Sequence, residues 1–315
     1  MLDSAMLGRK NDKSRNGKER VSYVNGEIVP ESLAVVSIND VGFLYGDAVF
    51  DTTRTFGHKI FRLEEHLDRF FKSLKYMRIN PGLTKKEFAD LTMQVLETNL
   101  LLLDDDDDYW VSQRVSRGVR GAVDSGPTVV LECFPLPFTE RAKYYRDGLP
   151  VIVPSVRRTP PDSMSPRAKM HNYINIIQAD LEVKSQNPQA LGILLDTNGN
   201  ICEGSGANFF IVRDGRLITP REQYVLPGIS RQVTFDLANE LDIEVKEEDI
   251  DLYDAYTADE AFVTSTSYCI CPVSSVNGSN IADGSIPGPI TDRLLKAYSG
   301  LVGIDIVGQY LARLD

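Results

Sequence analysis

The chain is short of positive charge. Its 315 residues hold 34 Lys and Arg against 45 Asp and Glu, for a net charge of −11. A phosphate backbone needs a surplus of Lys and Arg, so this balance argues against nucleic acid as a main partner. Any anionic substrate must then be met by local positive charge. No run of 18 apolar residues exists, so no membrane-spanning helix is expected. The opening MLDSAMLGRKNDKSRNGKER has no apolar segment of the kind a secretory signal needs. Residues 1–20 are expected to form a mobile tail, and the protein to be cytoplasmic. Cysteine is scarce too. Cys133, Cys202, Cys269 and Cys271 form no C-x-x-C and no Cys/His cluster, which argues against zinc, and no metal is expected. Cys269 and Cys271 alternate with apolar residues and should share one face of a strand as buried free thiols. The acidic run Asp104–Asp108 lacks the glycine and final glutamate of a calcium loop, so a solvated loop is expected. There is no repeat at a solenoid period.

What is present suffices for two domains, since 42% of the residues are apolar. SYVNGEIV reads as a hairpin around Asn25-Gly26, and VFDTTRTFGHKIFR as a second one at Gly57-His58. LEEHLDRFFKSLKYMRI places Leu67, Phe70, Phe71 and Leu74 at helical spacing, and TKKEFADLTMQVLETNLLL follows as another helix. DYWVSQRVSRG and TVVLECF read as strands. In the second half LGILLDT, NICEGSGANFFIV, RLITP and AFVTSTSYCICPV each read as one strand. YINIIQADLEVKSQ, SRQVTFDLANELDI and PITDRLLKAYSGLVG read as helices. Strand runs joined by tight turns, with helices outside, predict an α+β fold in both halves. The expected division is a tail at 1–20, a small N-terminal α/β domain at 21–133, a proline-containing linker at 134–140, and a larger α/β domain at 141–315 that carries Lys169.

Four stretches carry candidate chemistry. In SPRAKMHNYIN, Lys169 lies between Arg167 and His171 at the start of an apolar helix. Positive neighbours and partial desolvation lower an ammonium pKa and favour Schiff-base chemistry, although a lone lysine is more often a wet surface residue. In CEGSGANFF, Glu203 lies beside nearly pure apolar strands and needs a cationic partner, either an arginine or the protonated ring nitrogen of a cofactor. In VLPGISRQV a turn at Pro227-Gly228 opens a helix, whose free N–H groups suit an anion; an ordinary capped helix start is the plainer reading. The hydroxyl run Thr264–Ser267 needs polar company, which a phosphate held by Ser230, the nearby amides and Thr266 would supply. Arg69 lies at the edge of an apolar helix and either snorkels to water or reaches inward to a phosphate. A lysine, a carboxylate and a phosphate cup are together what pyridoxal 5′-phosphate requires.

The order of motifs then carries a resemblance. KMHNY fits K-x-x-N-Y, and LDTNGNICEGSGAN fits L-D-x-x-G-x-x-x-E-G-S-x-x-N. LPGISR fits L-P-G-I-[ST]-R, and ADEAFVTSTSYCICPV fits A-D-E-x-F-x-T-S-T…P-V. From about Ser22 to the last helix the chain resembles the class IV, or fold type IV, pyridoxal-phosphate aminotransferases. The resemblance implies two α/β domains with the cofactor between them, and a homodimer. It implies Lys169 as the Schiff-base lysine and proton shuttle, Glu203 at the ring nitrogen, and Tyr173 at the ring hydroxyl. Arg69, Ile229, Ser230 and Thr266 are implied for the phosphate.

Within that family the subgroup signals diverge. FLYGDAVFDTTR resembles the branched-chain aminotransferases, with Tyr45, Phe50 and Arg54 in matching places. Trp110 and Ser112 in WVSQRVSRG, with SVRRTP, look more like the (R)-selective amine transaminases. The substrate contacts implied are Tyr45, Phe50, Trp110, the Ser267 and Tyr268 amides, and Arg120 for a carboxylate, with Arg54 and Arg114 as alternatives. The expected activity moves an amino group from an apolar amine or amino acid, of (R)-amine or branched-chain type, to a 2-oxo acid such as pyruvate or 2-oxoglutarate. An aminodeoxychorismate lyase-type reaction and a D-amino-acid transaminase are the alternatives.

Overall fold

Asn25 and Gly26 both adopt positive φ (48° and 106°), and so do Gly57 and His58 (53° and 67°), which turns each two-residue loop tightly enough for a hairpin. A computed structural model describes residues 19–121 and 126–314. Of the expected tail, residues 1–18 lie outside this range. The chain divides into two units, one of residues 19–136 with Ala168–Tyr173, the other of Pro137–Arg167 with residues 174–314.

The first unit holds β1 (Val21–Val24), β2 (Glu27–Pro30), a short helix α1 (Val41–Tyr45), β3 (Ala48–Phe56) and β4 (Lys59–Ile60). Helices α2 (Leu63–Met77) and α3 (Lys85–Leu100) follow, then β5 (Tyr109–Ser116) and β6 (Thr128–Pro135). The strands form one antiparallel sheet in the order β2-β1-β6-β5-β3-β4. Thr84 and Glu87 form a capping box that starts α3. Strand alternation sorts the chemistry of β3 and β5. Phe50 pairs with Arg114 on one face, while Asp51 and Gln113 point the other way, to His66 and Arg69 of α2 and to Thr92 of α3.

Lys169 differs from its expected place, because it packs with this first unit and not with the rest of 141–315. Backbone bonding explains the difference. The Phe50 N–H donates to the Lys169 carbonyl at 3.0 Å, the His171 N–H to the Ala48 carbonyl at 2.9 Å, and the Lys169 N–H to Ser73 Oγ at 3.0 Å. The lysine segment thus extends the free edge of β3.

The second unit opens with α4 (Phe138–Asp147), whose start lies inside the stretch 134–140 expected to be a linker. It continues through β7 (Leu149–Ile152), α5 (Ile174–Gln186), β8 (Leu191–Leu195), β9 (Ile201–Gly204), β10 (Asn208–Arg213) and β11 (Arg216–Thr219). Next come α6 (Ile229–Glu240), β12 (Val245–Glu247), α7 (Leu252–Tyr256), β13 (Glu260–Ser265), β14 (Cys269–Val276) and β15 (Ser279–Asn280). Helices α8 (Pro289–Val302) and α9 (Ile306–Leu311) finish it. The sheet runs β12-β11-β10-β13-β14-β7-β8-β9, and β9 pairs back onto β10, so the strands from β10 to β9 close into a ring. Closure removes the edges within the ring, and β12, paired only with β11, is left as the free end of the sheet. Phe209, Ile211, Val263, Cys271, Val273, Leu149 and Ile193 belong to one buried core there. Two stretches expected as single strands are hairpins. NICEGSGANFFIV turns at 205–207, where Gly206 has φ 124°, and AFVTSTSYCICPV turns at 266–268 before Cys269 at φ 56°. The hydroxyl run therefore spans a strand end and a turn. All four cysteines are free and buried, and no described helix is long and apolar enough to cross a membrane.

Candidate active site

In the first unit Phe50 is the hub. Lys169 Nζ lies 4.4 Å from its ring centroid, and Arg114 Cζ lies 5.3 Å from it. The rings of His171 and Tyr173 pack against it at 5.2 and 5.6 Å. Among the described residues the Lys169 amine makes no hydrogen bond and no ion pair. A partly buried ammonium without a carboxylate is unusual for a structural lysine and suits one kept for chemistry.

The expected ring of positive charge around Lys169 does not form. Arg167 is exposed. Burial lowers the His171 pKa to about 4, with Arg114 adding to the effect, so its imidazole is neutral at pH 7. Its Nε2 is buried without a hydrogen-bond partner.

Arg69 does not snorkel. It is buried, and its Nε and Nη2 reach Asp51 Oδ2 and Oδ1 at 2.8 and 2.7 Å, while His66 Nδ1 donates to the same Oδ1 at 2.7 Å. Burial alone would raise the Asp51 pKa. The Arg69 charge and the hydrogen bonds from His66 and Arg69 outweigh burial and hold the carboxyl well below the usual range.

The remaining expected substrate residues of this unit are spread out. Tyr45 is 59% exposed, and its hydroxyl accepts from Arg120 Nη1 at 2.9 Å. Trp110 is buried in β5 opposite Arg54, four residues along β3 from Phe50, roughly 13 Å away at strand spacing. Ser112 Oγ is spent on Thr52 Oγ1 at 2.8 Å. The acidic run is solvated through Asp106, but Asp108 is buried. It accepts from Thr55 Oγ1 at 2.7 Å and faces Arg54 Nη2 at 3.5 Å.

In the second unit Glu203 is buried, and the cation it needs is Arg158, whose Nε donates at 2.9 Å. The other carboxylate oxygen accepts from the Leu226 N–H at 2.9 Å and from Asn208 Nδ2 at 3.4 Å. Asn208 also donates to the Leu226 carbonyl at 2.9 Å, so it ties Glu203 to the loop that leads into α6. Gly228 N-caps α6 and offers no side-chain cap, so the first-turn amides of Ile229 and Ser230 have no acceptor from the cap residue. Glu203, Ile229 and Ser230 are thus brought together. At the 266–268 turn the Tyr268 N–H already donates to Ser265 Oγ at 3.1 Å, so that expected substrate amide is occupied. Tyr310 and Tyr145 donate their hydroxyls to the Ser267 and Tyr268 carbonyls, with their rings stacked at 4.4 Å.

The class IV amino-transferase family matches residues 48–276. The chain belongs to the class IV aminotransferases. This aminotransferase is 38% identical over 288 residues to a putative branched-chain-amino-acid aminotransferase of Methanocaldococcus jannaschii, covering 89% of this chain and 95% of the relative. It is 33% identical over 285 residues to the branched-chain-amino-acid aminotransferase of Escherichia coli K12, covering 89% and 92%. The Escherichia coli branched-chain aminotransferase crystal structure matches with a TM-score of 0.84 at 31% identity, over 90% of this chain and 95% of that one. Both units therefore have the fold type IV, α+β architecture.

Aminotransferases of this class use pyridoxal 5′-phosphate, and a branched-chain aminotransferase at 27% identity was solved with pyridoxamine 5′-phosphate. The residues here fit that cofactor. An amine free of ion pairs, a buried hydrogen-bonded carboxylate and an uncapped helix start supply the three kinds of contact it takes. Asp51, His66, Arg158, Tyr145 and Tyr310 had no sequence signal beyond residue type, because each acts through a partner distant in the chain.

Proposed function

We propose that this aminotransferase moves the amino group of a branched-chain or similarly apolar amino acid to a 2-oxo acid such as pyruvate or 2-oxoglutarate. Lys169 carries the reading: its amine has no acid partner among the described residues and borders the ring of Phe50. Bound pyridoxal 5′-phosphate supplies the electron sink for breaking the donor Cα–H bond. Lys169 Nζ accepts the Cα proton and returns it within the turnover. Glu203, held by Arg158 and the Leu226 N–H, meets the ring nitrogen, and Tyr173 the ring hydroxyl. The Ile229 and Ser230 amides and the Thr266 hydroxyl take the phosphate, with Arg69 as an added cation. Phe50 and Tyr45 form the apolar side of the substrate site, and Ser267 a polar contact. An (R)-amine preference loses support, since Ser112 and Trp110 spend their contacts inside the sheet.

A homodimer in the cytoplasm is part of the proposal. Leu33, Val35, Val36, Ile38, Phe43, Leu44 and Tyr45 are all exposed in one short stretch, an apolar surface suited to a second copy. The free buried thiols suit a reducing compartment.

Borohydride reduction followed by peptide mapping should place a phosphopyridoxyl group on Lys169. A donor panel of L-leucine, D- and L-alanine and both enantiomers of 1-phenylethylamine should favour L-leucine. Label on another side chain, or pyruvate release from aminodeoxychorismate without amino transfer, would refute the reading.

A further inference from the structure

Several arginines of the first unit lie on or beside β3 and β5, and their partners differ. Arg54 is 1% exposed and faces Asp108. Arg69 is committed to Asp51 through two nitrogens. Arg117 binds Asp47 and the carbonyls of Met77 and Arg78. Arg120 is exposed and bonded to the Tyr45 hydroxyl.

Arg114, unlike these, shares the Phe50 ring with Lys169, because the Phe50–Arg114 cross-strand pair puts both side chains on one face. Its Nε donates to Glu132 Oε1 at 2.6 Å, and its side chain is 30% exposed. The Glu132 contact fixes the plane of the guanidinium through Nε. The two terminal nitrogens, with four N–H donors between them, make no hydrogen bond among the described residues. That is the end of the fork that grips a carboxylate bidentately.

We propose that Arg114 recognises the carboxylate of the amino donor and of the 2-oxo acid, through its terminal nitrogens, with Glu132 as the positioning residue that sets its orientation. This rests on Lys169 being the reacting amine. It assigns to Arg114, one of the alternatives in the sequence, the role expected first of Arg120. It also gives the site a rule of selection: acids bind through Arg114, and amines without a carboxylate do not use it.

The test uses the cofactor-loaded enzyme and 4-methylvaleric acid, an unreactive acid found in complex with a branched-chain aminotransferase of similar fold. Its dissociation constant is measured by spectral titration for wild type, Arg114→Met, Arg114→Lys and Arg120→Met. Charge-assisted bonds of this type predict a loss of about 10- to 100-fold in Arg114→Met. Arg114→Lys, which keeps the charge but not the fork, should fall between, and Arg120→Met should stay within about twofold of wild type. The absorbance of the cofactor band and the borohydride label at Lys169 should match wild type in Arg114→Met and Arg114→Lys, which shows that the variants are folded and loaded, while KM for L-leucine should rise in Arg114→Met in step with the loss of acid binding. Unchanged acid binding in the folded, loaded Arg114→Met would overturn the assignment. Absence of borohydride label at Lys169 in the wild type would instead strike the underlying function.

Discussion

Replacing Asp51 by asparagine tests whether the carboxylate under β3 is what lets α2 bury Arg69. Asp51 is fully buried, and Arg69 is 6% exposed. Oδ1 accepts from two donors, Arg69 Nη2 and His66 Nδ1, and Oδ2 accepts from Arg69 Nε. An asparagine oxygen can keep the Oδ1 contacts, but its NH₂ then faces the Nε–H, donor against donor. Arg69 would stay in the core as an uncompensated charge. Removing one partner of such a buried pair costs about 3–5 kcal/mol. Trp110, the only tryptophan, is buried in the same unit, so its fluorescence follows the loss of packing there. At ordinary urea sensitivities the midpoint should fall by about 1–3 M. The triple replacement Asp51→Leu, His66→Leu and Arg69→Met should restore much of the loss, since apolar groups of similar volume need no pairing. If the Asp51→Asn variant unfolds within about 0.5 M of wild type, the claim that this pair stabilises the helix–sheet contact is refuted.

Two other outcomes follow from single geometries. In Gly228→Ala a Cβ would stand 2.2 Å from Asn208 Oδ1, so Asn208 must release Leu226 and Glu203; cofactor affinity by equilibrium dialysis should drop about tenfold while the Trp110 transition stays put. His171 makes stability pH-dependent: between its ordinary value of 6.5 and its folded value of about 4, the unfolded chain binds a proton that the folded chain refuses. Stability is therefore full above pH 6.5 and declines as pH falls, by up to about 3 kcal/mol at pH 4. The difference between wild type and His171→Gln in urea midpoint, followed from about pH 7.5 to 4.5, should shrink accordingly; a constant difference would exclude the buried neutral imidazole. Arg114 and Lys169 oppose the proton on His171 and Asp40 favours it, so the sign rests on burial.

Most elements could be read from local pattern. The hairpins at Asn25-Gly26 and Gly57-His58, the helix from Leu63 and the capped helix from Lys85 all announce themselves over a few neighbouring residues. The errors lie where a turn hides inside an apolar run. Ser205-Gly206 and Thr266–Tyr268 break strands whose flanks look continuous, and the polar helix Phe138–Asp147 has no strong apolar stripe to reveal it.

The sequence by itself determined the family and the cofactor class and singled out Lys169 as the lysine to test, because four motifs in order are contiguous signals that need no knowledge of contacts. Tertiary structure decided which unit holds Lys169 and which counter-ion each buried charge has. Asp51 meets Arg69 across 18 residues, Arg158 meets Glu203 across 45, and Tyr310 reaches Ser267 across 43. A charged side chain shows its type in sequence. Its role depends on whether the fold supplies an opposite charge within hydrogen-bond reach, and that supply comes from residues far away along the chain.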